Sequence, residues 1–279
     1  MSVSTISLVS NSSMNFFPDN TSSHFSCQFP EELYYNDAIY EIALVSFQCN
    51  KSWYSLRDDE VYSIDFFIGH PNYTEDEIKS AEHNSTIMQL IDKIVIPSGV
   101  YENESELVEK LKKIYTEESI FRFEYDSMTK KITIEILGTE NYWYKICMSK
   151  DLARKLGFQN YPVDGEDHIY VHSKANQTIT AKHTVRLNEL DQIFVTCDLA
   201  ENLHIVGDIK TPLLHIIPVS GKFNDIINFE PKTLIWLPLK KNSFTTSEVY
   251  ITDAQGRNVP FSSGISIVRV NIRRKNLFR

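Results

Sequence analysis

The sequence lacks the short glycine-containing motifs of nucleotide-binding and hydrolytic enzymes. Its nine glycines are scattered and match neither G-x-G-x-x-G nor G-x-x-x-x-G-K-[ST], the patterns that bring backbone amides close to phosphate groups. G-x-S-x-G and H-E-x-x-H are absent too, and Gly264-Ile265-Ser266 has no closing glycine. These absences argue against nucleotide hydrolysis and the common hydrolase mechanisms, so we predict no enzymatic activity and no catalytic residue.

Cysteine is scarce, and the spacing of the cysteines argues against two kinds of stabilising cross-link, a zinc site and a disulfide framework. The four cysteines are Cys27, Cys49, Cys147 and Cys197. They include no C-x-x-C pair and have no histidine cluster nearby, so neither a zinc site nor a disulfide framework is predicted. We interpret all four as buried thiols of a protein made in a reducing compartment.

The histidines do not form a recognisable ligand set. His172 and His183, or His204 and His215, could meet across strands and bind a metal ion, as in jelly-roll oxygenases that use two histidines and a carboxylate. The H-x-[DE] start of such a triad is missing. A cupin-like metal enzyme is therefore a poor prediction, and the sequence predicts neither a metal site nor a cofactor.

Long apolar runs are absent as well. No stretch approaches the roughly 20 residues that a helix needs to cross a bilayer. Residues 1–10 also lack the charged start and apolar centre of a signal peptide. We therefore expect a protein that is neither secreted nor bound to a membrane.

The chain has fewer basic than acidic residues, and its net charge is -9. Such a surface does not match the footprint of a nucleic-acid-binding protein, except at the C-terminus, where no acidic residue follows Ile265. The residues that we predict to contact nucleic-acid phosphates or an acidic neighbour there are Arg273, Arg274, Lys275 and Arg279. The alternative is a solvated tail that keeps the last strand soluble.

The chain is rich in short apolar runs separated by turn signals. The C-terminal runs are Ile193–Cys197, Leu213–Val219, Ile226–Phe229, Leu234–Leu237, Val249–Ile251 and Ile265–Ile272. The N-terminal part adds strand-like runs at Ser4–Val9, His24–Phe29 and Tyr40–Phe47, with a polar loop at Ser10–Ser23. This spacing predicts an all-β sandwich or barrel.

The pattern changes to a compact α+β unit between about Pro97 and Tyr161. Leu107, Val108 and Leu111 recur at helical spacing, and the alternating runs 121–125 and 132–136 predict a hairpin with one apolar face. A second short helix is predicted to begin after Ser149 and to end at Gly157. We interpret this unit as an insertion between strands of the sandwich.

Four stretches carry a further pattern. They are SNSSMNFFPDNT (Ser10–Thr21) followed by EIALVSFQCNKSWYSL (Glu41–Leu56); PSGVYENESELVEKL (Pro97–Leu111) followed by SKDLARKLGF (Ser149–Phe158); IVGDIKTPLLHIIPV (Ile205–Val219); and LPLKKNSFTTSEVYITDAQGRNVPFSSGISIVRVNIRRK (Leu237–Lys275). Together, and in this order, they resemble the minor capsid, or penton, proteins of Polinton (Maverick) elements and their adintovirus and virophage relatives.

The resemblance implies a mainly β fold, a single jelly-roll β-sandwich with an inserted small α+β unit. The jelly roll would comprise residues 1–70 with 190–279, and the insertion residues 86–185. The implied function is that of a structural virion protein, a penton-type subunit at the fivefold vertices of an icosahedral capsid. The implied partners are copies of itself in a homopentamer, a double jelly-roll major capsid protein and, through the basic C-terminus, genomic DNA.

A capsid vertex subunit works through its interfaces, so aromatic residues in predicted loops are the candidates for contact. They are Phe16, Phe17, Trp53, Tyr54, Tyr142, Trp143, Tyr144 and Tyr161. An alternative function is a jelly-roll module that binds a receptor or a glycan. In that case Tyr142, Trp143 and Tyr144 would stack on the ligand.

Overall fold

The computed structural model describes residues 3–35, 39–57, 60–70, 72–74, 76–77, 87–114, 120–138, 142–158, 168–187 and 190–275. The fold is mainly β, as predicted. The chain divides into two compact units: a jelly-roll unit, Met1–Trp53 with Leu190–Arg279, and an inserted unit, Tyr54–Glu189.

The strands of the jelly-roll unit are β1 (Val3–Val9), β2 (His24–Tyr34), β3 (Tyr40–Asn50), β11 (Gln192–Cys197), β12 (His204–Val206), β13 (Ile209–Thr211), β14 (Leu213–Pro218), β15 (Ile226–Phe229), β16 (Leu237–Pro238), β17 (Ser243–Thr252) and β18 (Ile267–Arg274). Those of the inserted unit are β4 (Tyr62–Gly69), β5 (Met88–Ile96), β6 (Phe121–Asp126), β7 (Lys131–Ile136), β8 (Trp143–Ser149), β9 (His168–Lys174) and β10 (Gln177–Thr180), with helices α1 (Glu104–Ile114) and α2 (Lys150–Lys155).

Strand order in the first unit is that of a jelly roll. One sheet has the order β1-β18-β3-β15, with β16 also pairing with β3, and the other has the order β14-β11-β17-β2. All neighbouring strands are antiparallel. The two strand orders contain eight strands, which in chain order are β1, β2, β3, β11, β14, β15, β17 and β18. The first, third, sixth and eighth of these form one sheet, and the second, fourth, fifth and seventh form the other. This is the eight-stranded double-sheet arrangement of a jelly roll, which confirms the predicted fold class.

The core of the jelly-roll unit follows from the two-residue period of its strands. On β18, Val268, Val270 and Ile272 are buried while Arg269 between them is exposed, as their alternation in the sequence predicts. Cys27, Cys49 and Cys197 lie in the same core. All four cysteines of the chain are buried thiols, as predicted. Burial raises the pKa of Cys49 and of Cys197 to about 12, which makes both thiols poor nucleophiles.

The inserted unit has its own core between two antiparallel sheets and two helices. Its sheets have the orders β5-β4-β8-β9 and β10-β7-β6. Leu107, Val108 and Leu111 of α1 are buried in this core, as their helical spacing predicts. Gly157 follows α2 with a φ of +82°, and a Cβ atom there would lie 2.2 Å from the carbonyl oxygen of His183. Only glycine fits at this helix end.

The insertion begins earlier than the predicted boundary at residue 70. Strand β4, which the sequence places in the jelly roll, pairs with β5 and β8 of the inserted unit. The physical reason is its burial, because Ile64 and Phe66 pack in the core of the inserted unit. Along the chain the insertion lies between β3 and β11. No helix in the described ranges is long and apolar enough to cross a membrane.

Candidate interaction surfaces

The loop that joins β1 to β2, residues 10–23, is held by its own side chains. The Asn20 amide accepts a hydrogen bond from the Ser26 backbone N–H at 2.8 Å and donates one to the Ser26 carbonyl at 2.8 Å. Ser13, with a φ of +58°, accepts a bond from the Gln28 backbone N–H on its hydroxyl at 2.9 Å. Strand β2 is an outer strand of its sheet, so these bonds take the place of strand pairing along its open side. They also hold the loop against β2.

The fixed loop presents apolar side chains to solvent. Phe16 is 67% exposed, and Met14 beside it is also exposed, whereas Phe17 is half-buried. The backbone N–H groups of Phe16 and Phe17 both donate to the Ser13 carbonyl at 2.9 Å. A large aromatic ring on a preorganised backbone loses little conformational entropy on binding, which is typical of an interface anchor.

This loop belongs to one end of the jelly roll, here called the upper end, where β1 and β3 finish and β18 begins. The Ser22 hydroxyl donates to the Gly264 carbonyl at 2.7 Å, and the Ser10 backbone N–H donates to the Ser266 carbonyl at 2.9 Å. Gly264 has a φ of +94°, where a Cβ atom would lie 2.8 Å from the Asn50 side chain. Glycine therefore allows the loops of the upper end to pack closely.

Two of the predicted interface residues lie in hydrophobic cores. Trp53 is buried in the jelly-roll core, edge-on to Phe261 with ring centroids 5.7 Å apart. Tyr144 is 0% exposed in the core of the inserted unit. The expectation that these two residues form contacts with a partner is corrected, because core packing buries both rings.

The remaining aromatic candidates are placed differently. Tyr54, Tyr142 and Trp143 are half-buried, and Tyr161 lies outside the described residues. The Trp143 indole N–H donates to the Tyr73 carbonyl at 3.1 Å, and Lys174 Nζ lies 4.9 Å from the centre of its ring.

The predicted glycan platform does not form as expected. Trp143 and Tyr144 are consecutive residues of β8, so their side chains point to opposite faces of the sheet. Trp143 lies in a small cluster on one face, and Tyr144 lies in the main core on the other. The three rings therefore do not share one binding face, and the proposed stacking surface is corrected.

At the basic C-terminal strand, Arg273 is engaged within the unit. Its Nε and Nη2 atoms donate to Glu41 Oε2 at 3.2 and 3.1 Å, and its guanidinium carbon lies 3.7 Å from the centre of the Trp236 ring. Lys275 Nζ lies 3.7 Å from the other oxygen of Glu41. Arg274 is exposed, and Arg279 lies outside the described residues. Arg273 therefore binds Glu41 of its own unit, which the run of basic residues in the sequence did not predict.

A second exposed apolar element was not predicted. Strands β12 and β13 form a two-stranded hairpin that pairs with no further strand in the described part of the chain. Leu203, Ile205 and Ile209 are exposed on or beside this hairpin. Ile205 and Ile209 lie in the stretch Ile205–Val219 that the sequence analysis named. The apolar pattern of that stretch does not distinguish its exposed residues from its core residues.

One polar cluster lies on the outer face of the second sheet. His24 Nε2 lies 2.7 Å from Glu248 Oε1, and the His24 ring stacks on Tyr250 with centroids 4.1 Å apart. Tyr250 also donates to Glu248 Oε1 at 2.9 Å. The hydrogen bond from His24 lowers the pKa of Glu248, while the bond to Glu248 raises that of Tyr250. Among the described residues no group of three His, Cys, Asp or Glu side chains is arranged to hold a metal ion.

The fold thus defines a single jelly-roll β-sandwich with an α+β insertion. No family model matches the chain, and no curated protein matches its sequence significantly. Among solved structures the chain is similar to the mavirus penton protein, with 11% sequence identity and a TM-score of 0.48; the match covers 98% of this chain and 100% of that one. The jelly roll is defined by the strand order given above, independently of this likeness.

Proposed function

We propose that this protein is a structural capsid subunit of the penton type, which assembles as a homopentamer at the fivefold vertices of an icosahedral shell. The observation that carries the proposal is the fixed β1–β2 loop, which holds Phe16 in solvent at the upper end of a jelly roll. The four sequence stretches that resemble penton proteins include this loop.

The physical basis of the proposal is assembly by preformed contacts. A ring closes only when each subunit offers the same contact at the same angle, so the contacting residues must be positioned before the subunits meet. Asn20 and Ser13 provide that positioning for Phe16. A well-placed aromatic anchor contributes about 2 kcal/mol or more to such an interface.

The proposed partners are a double jelly-roll major capsid protein, which would surround each ring, and genomic DNA inside the shell. Arg274 and Arg279 would contact DNA phosphates, together with Lys275, whose Nζ also lies 3.7 Å from Glu41 Oε1. Arg273 makes a smaller contribution in this proposal because its guanidinium is bound to Glu41. The protein would reside in the virion and would have no enzymatic role.

The test is the assembly state of the purified full-length chain. Native mass spectrometry and sedimentation velocity are expected to show a closed oligomer of five copies, visible as rings in negative-stain images. Co-expression with a double jelly-roll capsid protein is expected to give shells that contain the chain. A strictly monomeric protein that is excluded from those shells would overturn the proposal.

A further inference from the structure

The jelly roll has two lateral edges, because each of its sheets ends in two outer strands. Strands β1 and β15 are the outer strands of one sheet, and β2 and β14 are those of the other. Strands β1 and β2 lie at the same edge, where the Cys27 thiol is 3.7 Å from the Val9 carbonyl oxygen. Along an outer strand, backbone N–H and C=O groups point away from the sheet and can bond to a further strand.

Strand β1 leaves such groups free. The Ser10 N–H donates to the Ser266 carbonyl, and bonded pairs alternate along an antiparallel ladder, so the even-numbered residues of β1 bond to β18. The backbone groups of Thr5 and Ser7 therefore point away from the sheet. No backbone or side-chain group in the described part of the chain bonds to them. Both residues are exposed, so these groups are open to a partner.

The sequence of β1 lacks the features that keep an edge strand from pairing. Its residues, VSTISLV, include no charged residue and no proline, and its register with β18 runs from Val3 to Val9 without a bulge. Edge strands are usually protected by lysine, by proline, by a bulge or by short length. Strand β1 is thus a regular and uncharged surface for strand addition.

The other outer strands of the jelly roll are blocked or short. On β2 the N–H of Gln28 is bonded to the β1–β2 loop, and the strand also contains Pro30. On β14 the Ile216 carbonyl oxygen lies 2.8 Å from His215 Nδ1, and Pro218 has no N–H. Strand β15 has only four residues. Among the outer strands described, β1 alone is both regular and unprotected.

The side chains beside β1 define the kind of strand that fits. On the inner side Ile6 is half-buried and Leu8 is buried in the jelly-roll core, so an added strand extends that apolar layer. On the outer side Ser7 pairs with Arg269 of β18, which is exposed and has no ion pair with a described residue. A strand with apolar residues on its inner face and acidic residues on its outer face complements both sides.

We infer that β1 binds an extended segment of a partner protein, which adds to its sheet as a further antiparallel strand. The segment alternates apolar and acidic residues, and its backbone bonds to Thr5 and Ser7. A second copy of β1 contains no acidic residue, so it does not complement Arg269. Strand addition needs no ring, so this site goes beyond the proposed function and does not depend on it.

Binding of a synthetic peptide, of the same length as β1 and with isoleucine alternating with glutamate, tests the site. Fluorescence anisotropy with the full-length chain is expected to show saturable binding. Thr5→Pro removes an outward N–H and no bond to β18, so it is expected to weaken binding at least about tenfold. Thr5→Ala is the matched control, because it keeps the N–H and loses the same side-chain bond to Asn271. It is expected to bind as wild type does.

Changes in the peptide give a second measurement that leaves the protein intact. In antiparallel pairing the glutamates lie opposite Thr5 and Ser7, so N-methylation of the glutamates is expected to abolish binding. N-methylation of the isoleucines is expected to leave it unchanged. Lysine in place of glutamate is expected to weaken binding about threefold, and Arg269→Gln is expected to remove this preference.

Circular dichroism checks that Thr5→Pro is folded, and the methylated peptides decide the matter if it is not. Absence of binding by the glutamate peptide overturns the inference, as does equal binding of the two methylated peptides. A dimer that forms without peptide and is lost in Thr5→Pro would assign β1 to a second copy and overturn it too. The proposed function is judged separately by the assembly state of the wild-type chain, so either can fail alone.

Discussion

At the residue scale, Arg273 shows how one side chain joins distant parts of the jelly-roll unit. It lies on β18, pairs with Glu41 on β3 and stacks on Trp236, which follows β15. Glu41 is buried, so its carboxylate depends on this partner and on Lys275 for compensation. A planar guanidinium can bond a carboxylate with two nitrogens and stack on an indole at once, which a lysine cannot do.

Arg273→Ala is expected to lower the free energy of unfolding by about 1–3 kcal/mol, because it leaves the buried Glu41 carboxylate without its main partner. Arg273→Lys is expected to have an intermediate effect. Urea denaturation followed by fluorescence measures the change. Arg274→Ala is the matched control, since the neighbouring side chain is exposed and is expected to change stability by less than about 0.5 kcal/mol. Equal effects of the two alanine variants would contradict this role for Arg273.

The pair of His24 and Glu248 gives a prediction about pH. Its hydrogen bond to His24 lowers the pKa of Glu248 from the ordinary value of 4.5. Because the folded-state pKa is below the unfolded one, the stabilisation is present above about pH 4.5 and is lost as the pH falls through the folded-state pKa. Both side chains are partly exposed, so the contribution is less than about 1 kcal/mol.

We therefore expect His24→Ala to raise the pKa of Glu248 toward its ordinary value. Carbon-detected NMR titration of the side-chain carboxyl measures this directly. Tyr250→Phe is a useful companion, because it removes the other bond to the same oxygen and is expected to raise the pKa of Glu248 by less. An unchanged Glu248 titration in His24→Ala would show that the pair does not form in solution.

At the scale of elements, the β1–β2 loop behaves as a structural element although it contains no regular secondary structure. Asn20 bonds to the backbone of Ser12 and Ser26, and Ser13 bonds to the backbone of Gln28, so two loop side chains tie the loop to β2. Within the loop, backbone N–H groups such as those of Phe16 and Phe17 bond to backbone carbonyls. Both kinds of bond allow a 14-residue connection, residues 10–23, to hold one conformation.

Asn20→Ala is expected to destabilise the protein by about 1–3 kcal/mol and to increase amide hydrogen exchange across residues 10–23. The reason is that the backbone groups of Ser26 lose their partners. Asn15→Ala is the matched control, because Asn15 is exposed in the same loop. If exchange in the loop is equally fast in wild type and in Asn20→Ala, the loop is not held in the way described.

At the scale of the whole molecule, the chain forms two units that each have a hydrophobic core. Leu44 lies in the core of the jelly-roll unit and Leu111 in that of the inserted unit. Separate cores allow each unit to be destabilised by itself.

Leu44→Ala and Leu111→Ala are each expected to cost about 2–5 kcal/mol, since each removes buried methyl groups and leaves a cavity. Native-state hydrogen exchange is expected to show lost protection in the jelly-roll unit for Leu44→Ala and in the inserted unit for Leu111→Ala. Both variants lose the same atoms, so each serves as the control for the other. Equal losses in both units from either variant would show that the units unfold together.

The sequence by itself determined the longer strands, such as β3, β11 and β18, and the helices of the inserted unit, because these depend on local periodicity. It did not predict the short strands β12 and β13. Alternating residues such as Val268, Val270 and Ile272 bury one face of a strand, and helical spacing does the same for Leu107 and Leu111. The burial of the four cysteines also followed from their spacing and surroundings.

The tertiary structure alone decided which aromatic residues are exposed and where the insertion begins. Trp53 and Phe16 both lie in loop-like sequence, yet one is buried against Phe261 and the other is in solvent, because burial depends on residues far away in the chain. The partner of β4 and the engagement of Arg273 by Glu41 and Trp236 are long-range in the same way. The two edges of the jelly roll also exist only after eight strands have been ordered into two sheets, since a local pattern carries no information about which strand lies outermost.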